Sequence, residues 1–113
     1  MMAGKKLYAL RGAVRCQNDA GDMGRQVSLL YDSLLMQNNL VEDDIVSLIF
    51  SVTSDLTAAN PAAVLRGAGK AGNLALFAVQ EAFCEGGLPG VVRALIHCYL
   101  PEGAVPVHVY RNG

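Results

Sequence analysis

Met23, Val27, Leu30 and Leu34 recur at spacings of four, three and four. That is the apolar stripe of an amphipathic helix, capped near Asn18-Asp19 and running to about Asn38. Elsewhere the pattern changes to strand-like runs. Lys6 to Val14 reads as a first strand. Glu42-Asp43-Asp44 is a polar break that reads as a solvated, helix-starting acidic run. Ile45 to Thr53 is a second strand, with Val46, Leu48, Phe50 and Val52 on one face and Ser47, Ser51 and Thr53 on the other. Thr53 to Asn60 is a loop, and Asn60-Pro61 opens a short helix, because Asn caps well and Pro suits the first helical position. Gly67, Gly69 and Gly72 end that helix. Asn73 to Glu81, Val91 to Leu100 and Val105 to Arg111 complete five expected strands, with a turn at Glu85-Gly86-Gly87. Strands with intervening helices predict a mixed α/β class, α+β in arrangement, with helices packed outside a mixed sheet.

Three charges interrupt these runs. Arg11 follows Leu7-Tyr8-Ala9-Leu10, Glu81 closes Leu74 to Gln80, and Arg93 lies between Val91-Val92 and Ala94-Leu95-Ile96. Arg and Glu are rarely buried without a partner. The three residues therefore either form an internal ion-pair network or await a small anionic ligand that carries one donor group for the glutamate. The residues by themselves favour neither reading. On strand parity, Arg93 shares a face with Val91, Leu95, His97 and Tyr99, and His108 shares one with Tyr110.

Composition narrows the choices. The 113 residues, 1–113, fit one domain with one core. Charged residues are 17% of the chain and hydrophobic ones 52%, against a usual charged share of about 25%. So small a polar surface predicts a subunit interface. A net charge of −1 without a basic cluster argues against a nucleic-acid partner. No apolar run approaches the ~18 to 20 residues of a membrane span. Too few apolar residues follow Lys5-Lys6 to make a signal-peptide core. Cys16, Cys84 and Cys98 are odd in number and irregularly spaced, which predicts free thiols in a cytoplasmic protein.

Other chemical signals are weak. Gly67-Ala68-Gly69-Lys70-Ala71-Gly72 matches G-x-G-x-x-G, but a helix precedes it and a strand follows, the reverse of a dinucleotide site. His97, Cys98, Cys84 and His108 lack the paired spacing of a zinc motif. Cys84 and Cys98 read as packed small hydrophobes, and His97 and His108 as half-exposed strand residues. No Gly-x-Ser-x-Gly elbow is present, and no serine has an evident His-acid pair.

The segments around the three charges resemble the small monofunctional chorismate mutases of the AroH class. The resemblance is collinear from Leu7 to Tyr110. It rests on Leu10-Arg11-Gly12-Ala13, Ser51 through Ala58, Pro61-Ala62 with Arg66, Val79-Gln80-Glu81, Gly86-Gly87-Leu88 leading to Arg93, and Val109-Tyr110. It implies a homotrimer with a barrel-like sheet core and active sites in clefts between subunits. The implied reaction is rearrangement of chorismate to prephenate, with no cofactor, metal or covalent intermediate. Arg93 is implied as the cation at the ether oxygen, Arg11 and Tyr110 as ligands of the enolpyruvyl carboxylate, and Glu81 as acceptor of the ring hydroxyl. Arg66, Asn60, Ala62, Ala63, Phe77 and Ala78 are implied on the substrate-binding side, with Arg66 contributed by the neighbouring subunit. Asn60 stands where the family commonly has an aromatic residue, Ala63 where it has lysine, and Ala78 where it has cysteine. With the sequence ending at Gly113, the longer tail that can close over the site is also missing. These departures predict weaker substrate affinity rather than a lost rate. An imine deaminase-like enzyme on the same trimeric fold and a non-catalytic trimeric binding protein are the competing readings.

Overall fold

The computed structural model describes residues 4–113. Strand β1 (Lys5–Arg15) leads into helix α1 (Ala20–Gln37), a 3-10 turn (Glu42–Asp44) and strand β2 (Ile45–Val52). Helix α2 (Pro61–Gly67) and strands β3 (Leu76–Gln80), β4 (Val91–Pro101) and β5 (Val109–Arg111) follow. The strands make one mixed sheet in the order β3-β2-β4-β1-β5. β4 runs antiparallel to both β1 and β2, whereas β2–β3 and β1–β5 are parallel. Among the described residues, no helix is long and apolar enough to cross a membrane.

Side-chain alternation divides the sheet into two unlike faces. Leu10 and Val14 of β1, Leu48 and Phe50 of β2, and Val92, Ala94, Ile96 and Cys98 of β4 are buried toward the helices. α1 meets them with Met23, Val27, Leu30, Tyr31 and Leu34, and α2 with Leu65. Burying such side chains is worth roughly 1.5–3 kcal/mol each, so this face carries the stability of the fold. The β1–β4 register keeps the parity intact, pairing Leu10 with Ile96 inward and Arg11 with Leu95 outward.

Both helices start on side-chain caps. Asp19 Oδ2 accepts from the Asp22 amide at 2.9 Å. Asn60 Oδ1 accepts from the amides of Ala62 at 2.8 Å and Ala63 at 3.4 Å. The intervening loop is pinned from a distance: Asn18 Oδ1 accepts from the amides of Thr57 and Ala58, both at 2.8 Å.

Several expectations need correction. Val46 does not share a face with Leu48, because the β2–β4 register shifts between Ile45 and Ser47 and leaves Val46 half exposed. The acidic run is not simply solvated: Asp44 is buried and holds Lys5 Nζ at 2.6 Å, while Glu42 accepts from the Tyr31 hydroxyl and, at 2.9 Å, from the Ala71 amide. β3 begins at Leu76 rather than Asn73, because Ala71 takes a left-handed φ of 56° and the Leu74 amide closes a turn on its carbonyl. The last strand is only three residues long, since Asn38 exchanges two hydrogen bonds with the backbone of Val107 and takes it out of the ladder. His108 accordingly precedes β5 and is exposed, and Cys84 is an exposed loop residue rather than a packed one.

Candidate active site

The face away from the helices collects the sequence's interrupting charges. Arg93 projects from β4 between Ser51 of β2 and Ala13 of β1, its register partners on either side. Ala13 is in turn paired with Tyr110 of β5. On the other flank the Glu81 amide donates to the Val52 carbonyl at 2.8 Å, which carries the β2–β3 ladder one residue past β3. Val79, Ser51, Arg93, Ala13 and Tyr110 thus form one row across the sheet, and Glu81 follows two residues beyond Val79. Arg11 lies two residues along β1 from Ala13, opposite Leu95.

Arg93 Nε donates to Glu81 Oε1 at 2.7 Å, and Ser51 Oγ donates to the same oxygen at 3.2 Å. Both bonds fall on Oε1, so among the described residues Glu81 Oε2 and the two terminal nitrogens of Arg93 have no protein partner. The arginine side chain is 51% exposed and the glutamate 28%. So exposed a pair contributes little to stability; its effect is to orient the two groups. The expectation that these charges are buried fails for the single chain, because strand alternation turns them all to the uncovered face.

A cavity of about 330 Å³ is lined by Arg11, Gly12, Ile49, Ser51, Arg93, Ala94, Leu95 and Tyr110. Three of the four expected catalytic residues therefore share one cavity, and the fourth, Glu81, is tied to its wall through Arg93 and Ser51. Apolar walls with a few convergent polar groups suit a small ligand. Gly12 is required here: a Cβ would lie 3.0 Å from the methyls of Leu30 and Leu34 and 3.2 Å from the Val109 carbonyl. Its absence lets β5, and with it Tyr110, approach β1 closely.

The remaining expected residues fall into a second group. Asn60 and Ala78 border a shallow groove at the β3 edge. Ala62 is half-buried on α2, and Ala63 and Arg66 are exposed there. Phe77 stands on the uncovered face beside Ile49. None of these lines the Arg93 cavity within one chain. Asn60 is engaged as the α2 cap, so its carbonyl oxygen is already committed locally. Ser51 is the site residue that sequence reasoning passed over. Strand parity puts it on the polar face of β2, but its bond to Glu81 depends on the β2–β3 pairing. Cys84, Cys98, His97 and His108 do not gather; among the described residues no cluster of three metal-ligating side chains occurs.

Comparison with known proteins gives this arrangement a family. Residues 7–113 match the model of the family described as chorismate mutase type I. The fold is that of a solved chorismate mutase from Clostridium thermocellum, with a TM-score of 0.85 and 35% identity over 94% of this chain and 96% of that one. No curated protein sequence matches. The uncovered charged face, the cavity built on it and the match over nearly the whole length agree: the chain belongs to the chorismate mutase type I family and is an isomerase of that family.

Proposed function

We propose that the protein converts chorismate to prephenate at the Arg93 cavity, on the branch toward phenylalanine and tyrosine, as one domain over residues 1–113. Within a single molecule the ether carbon–oxygen bond breaks and a carbon–carbon bond forms, with no proton or group exchanged with the protein. The substrate reacts only when its enolpyruvyl arm folds over the ring. Holding that conformer lowers the barrier through orientation. Arg11 and Tyr110 grip the enolpyruvyl carboxylate. Glu81, with Oε2 unoccupied by protein donors, accepts from the ring hydroxyl. Arg93, oriented through Nε by Glu81, presents its terminal nitrogens to the ether oxygen. Negative charge grows there as the bond breaks, so this cation binds the transition state more strongly than the substrate.

Assembly completes the site. Leu7, Phe77 and Val79 are exposed on the uncovered sheet face, with Ile49 and Leu95 between them. Large apolar side chains exposed on this face support burial against other copies. We place the protein as a homotrimer in which Arg66, Asn60, Ala62, Ala63, Phe77 and Ala78 of one subunit border the Arg93 cavity of the next. Free thiols at Cys16, Cys84 and Cys98 support a reducing cytoplasmic setting.

The observation that carries this reading is the Arg93–Glu81 pair beside Arg11 and Tyr110. The test is loss of chorismate with prephenate as product, together with the mass in solution. Turnover by a particle about three times 11.9 kDa supports it. Absence of turnover in a folded trimer overturns the enzymatic reading, and a turning-over monomer overturns the shared site.

A further inference from the structure

The Arg11 amide lies on the side of β1 that faces β5, yet β5 does not reach it. The ladder starts at Gly12, paired with Val109. The chain just before is drawn off by Asn38, whose side-chain oxygen accepts from the Val107 amide at 2.8 Å while its nitrogen donates to the Val107 carbonyl at 2.9 Å. The missing backbone acceptor is replaced by a side chain: His108 Nδ1 accepts from the Arg11 amide at 3.0 Å. This bond requires Nδ1 to be unprotonated, so the neutral ring carries its proton on Nε2.

We infer that His108 is a positioning residue for substrate binding, its imidazole holding the backbone of Arg11 against the strand that carries Tyr110. It stands two residues before Tyr110 and bonds directly to Arg11, so one ring ties together both groups of the carboxylate clamp. Without it, Arg11 and Tyr110 are connected only through the three-residue β5, which begins one pair further along. An aliphatic side chain at this position would leave the Arg11 amide to water and loosen the clamp. Asn, by contrast, places an amide oxygen close to where histidine has Nδ1 and preserves the bond.

This inference rests on the reading of Arg11 as a substrate ligand, and the experiment separates the two. KM and kcat for chorismate are measured for His108→Ala, His108→Asn, Arg11→Ala and the His108→Ala/Arg11→Ala double variant, with folding checked by thermal melts. A clamp that holds substrate and transition state alike changes KM and spares kcat. His108→Ala should raise KM roughly five- to tenfold, the effect of one net hydrogen bond of about 1 kcal/mol. His108→Asn should stay within about twofold of the parent, and the double variant should be no worse than Arg11→Ala. Unchanged KM in His108→Ala, or additive losses in the double variant, overturns the role of His108. Should His108→Ala fail to fold, a KM raised roughly five- to tenfold in a folded His108→Asn overturns it too. Unchanged KM in Arg11→Ala instead overturns the reading of Arg11 itself.

Discussion

Arg93 Nε and Glu81 Oε1 meet at 2.7 Å on the uncovered side of the sheet, one on β4 and the other just past β3. Two strands that are not neighbours in the sheet are thereby linked above β2, with Ser51 of β2 donating to the same oxygen from below. The bond fixes the plane of the guanidinium and leaves its outer edge to the cavity. Arg93→Lys keeps the charge but loses the fork and its Glu81 geometry. Turnover should fall about 100- to 1000-fold, the usual loss for one transition-state donor, while the melting temperature stays nearly constant. Steady-state kinetics beside a thermal melt check both halves.

Ser51 supports rather than performs the chemistry. Ser51→Ala removes one of the two donors to Glu81 Oε1 and leaves Arg93 in place. A loss of kcat/KM of roughly five- to tenfold is expected, corresponding to about 1 kcal/mol for one neutral hydrogen bond. A loss as large as that of Arg93→Lys would mean that Ser51 itself touches the substrate.

Gly12 is the tightest point between β1, α1 and β5. In Gly12→Ala the new methyl meets the Leu30 and Leu34 side chains at 3.0 Å, which can yield, and the Val109 carbonyl at 3.2 Å, which belongs to the sheet. Overpacking of this kind costs about 1–3 kcal/mol. The variant should melt earlier and also bind substrate more weakly, because Tyr110 moves away with β5. Denaturant titration and KM together detect the paired effect.

Ala63 is exposed near the start of α2, at the position where the family resemblance implies a lysine. Ala63→Lys fits without burial and, in the proposed shared site, adds a cation beside the dianionic substrate. KM should drop about two- to fivefold, as expected for an exposed ion pair worth about 0.5–1 kcal/mol, with kcat unchanged. The gain should fade at high salt.

The three thiols should react in order of exposure. Cys84 is exposed, Cys16 half-buried and Cys98 buried. Burial, helped by the charge of Asp44, pushes the Cys98 thiol up to about 11 from an ordinary 9.0. Iodoacetamide at pH 8, followed by peptide mass mapping, should label Cys84 first and Cys98 only after unfolding. A thiol whose pKa is raised by folding stabilises the fold fully below pH 9 and loses that contribution as pH rises through 11. Cys98→Ala should therefore reduce the alkaline loss of stability over that window.

Periodicity in the sequence was enough for the long elements. The stripe from Met23 to Leu34 made α1, and alternation made β1, β2 and β4, because each pattern has a single way to bury its apolar side. Alternation also put Arg93 on one face with Leu95, His97 and Tyr99, and family likeness attached roles to Arg93 together with Arg11, Glu81 and Tyr110. Local pattern could not supply what depends on distant partners. The bulge at Val46 is a property of the β2–β4 pairing. The short β5 reflects competition by the Asn38 amide for the Val107 backbone. The bond from the Arg11 amide to His108 joins residues 97 positions apart. The sequence by itself determined the elements, their buried sides and the charged residues available for chemistry. Only the tertiary structure decided that Glu81 and Ser51 meet Arg93, and that Tyr110 is held beside Arg11. Those contacts follow from strand order and register, which are set by long-range pairing and not by the spacing of residues along the chain.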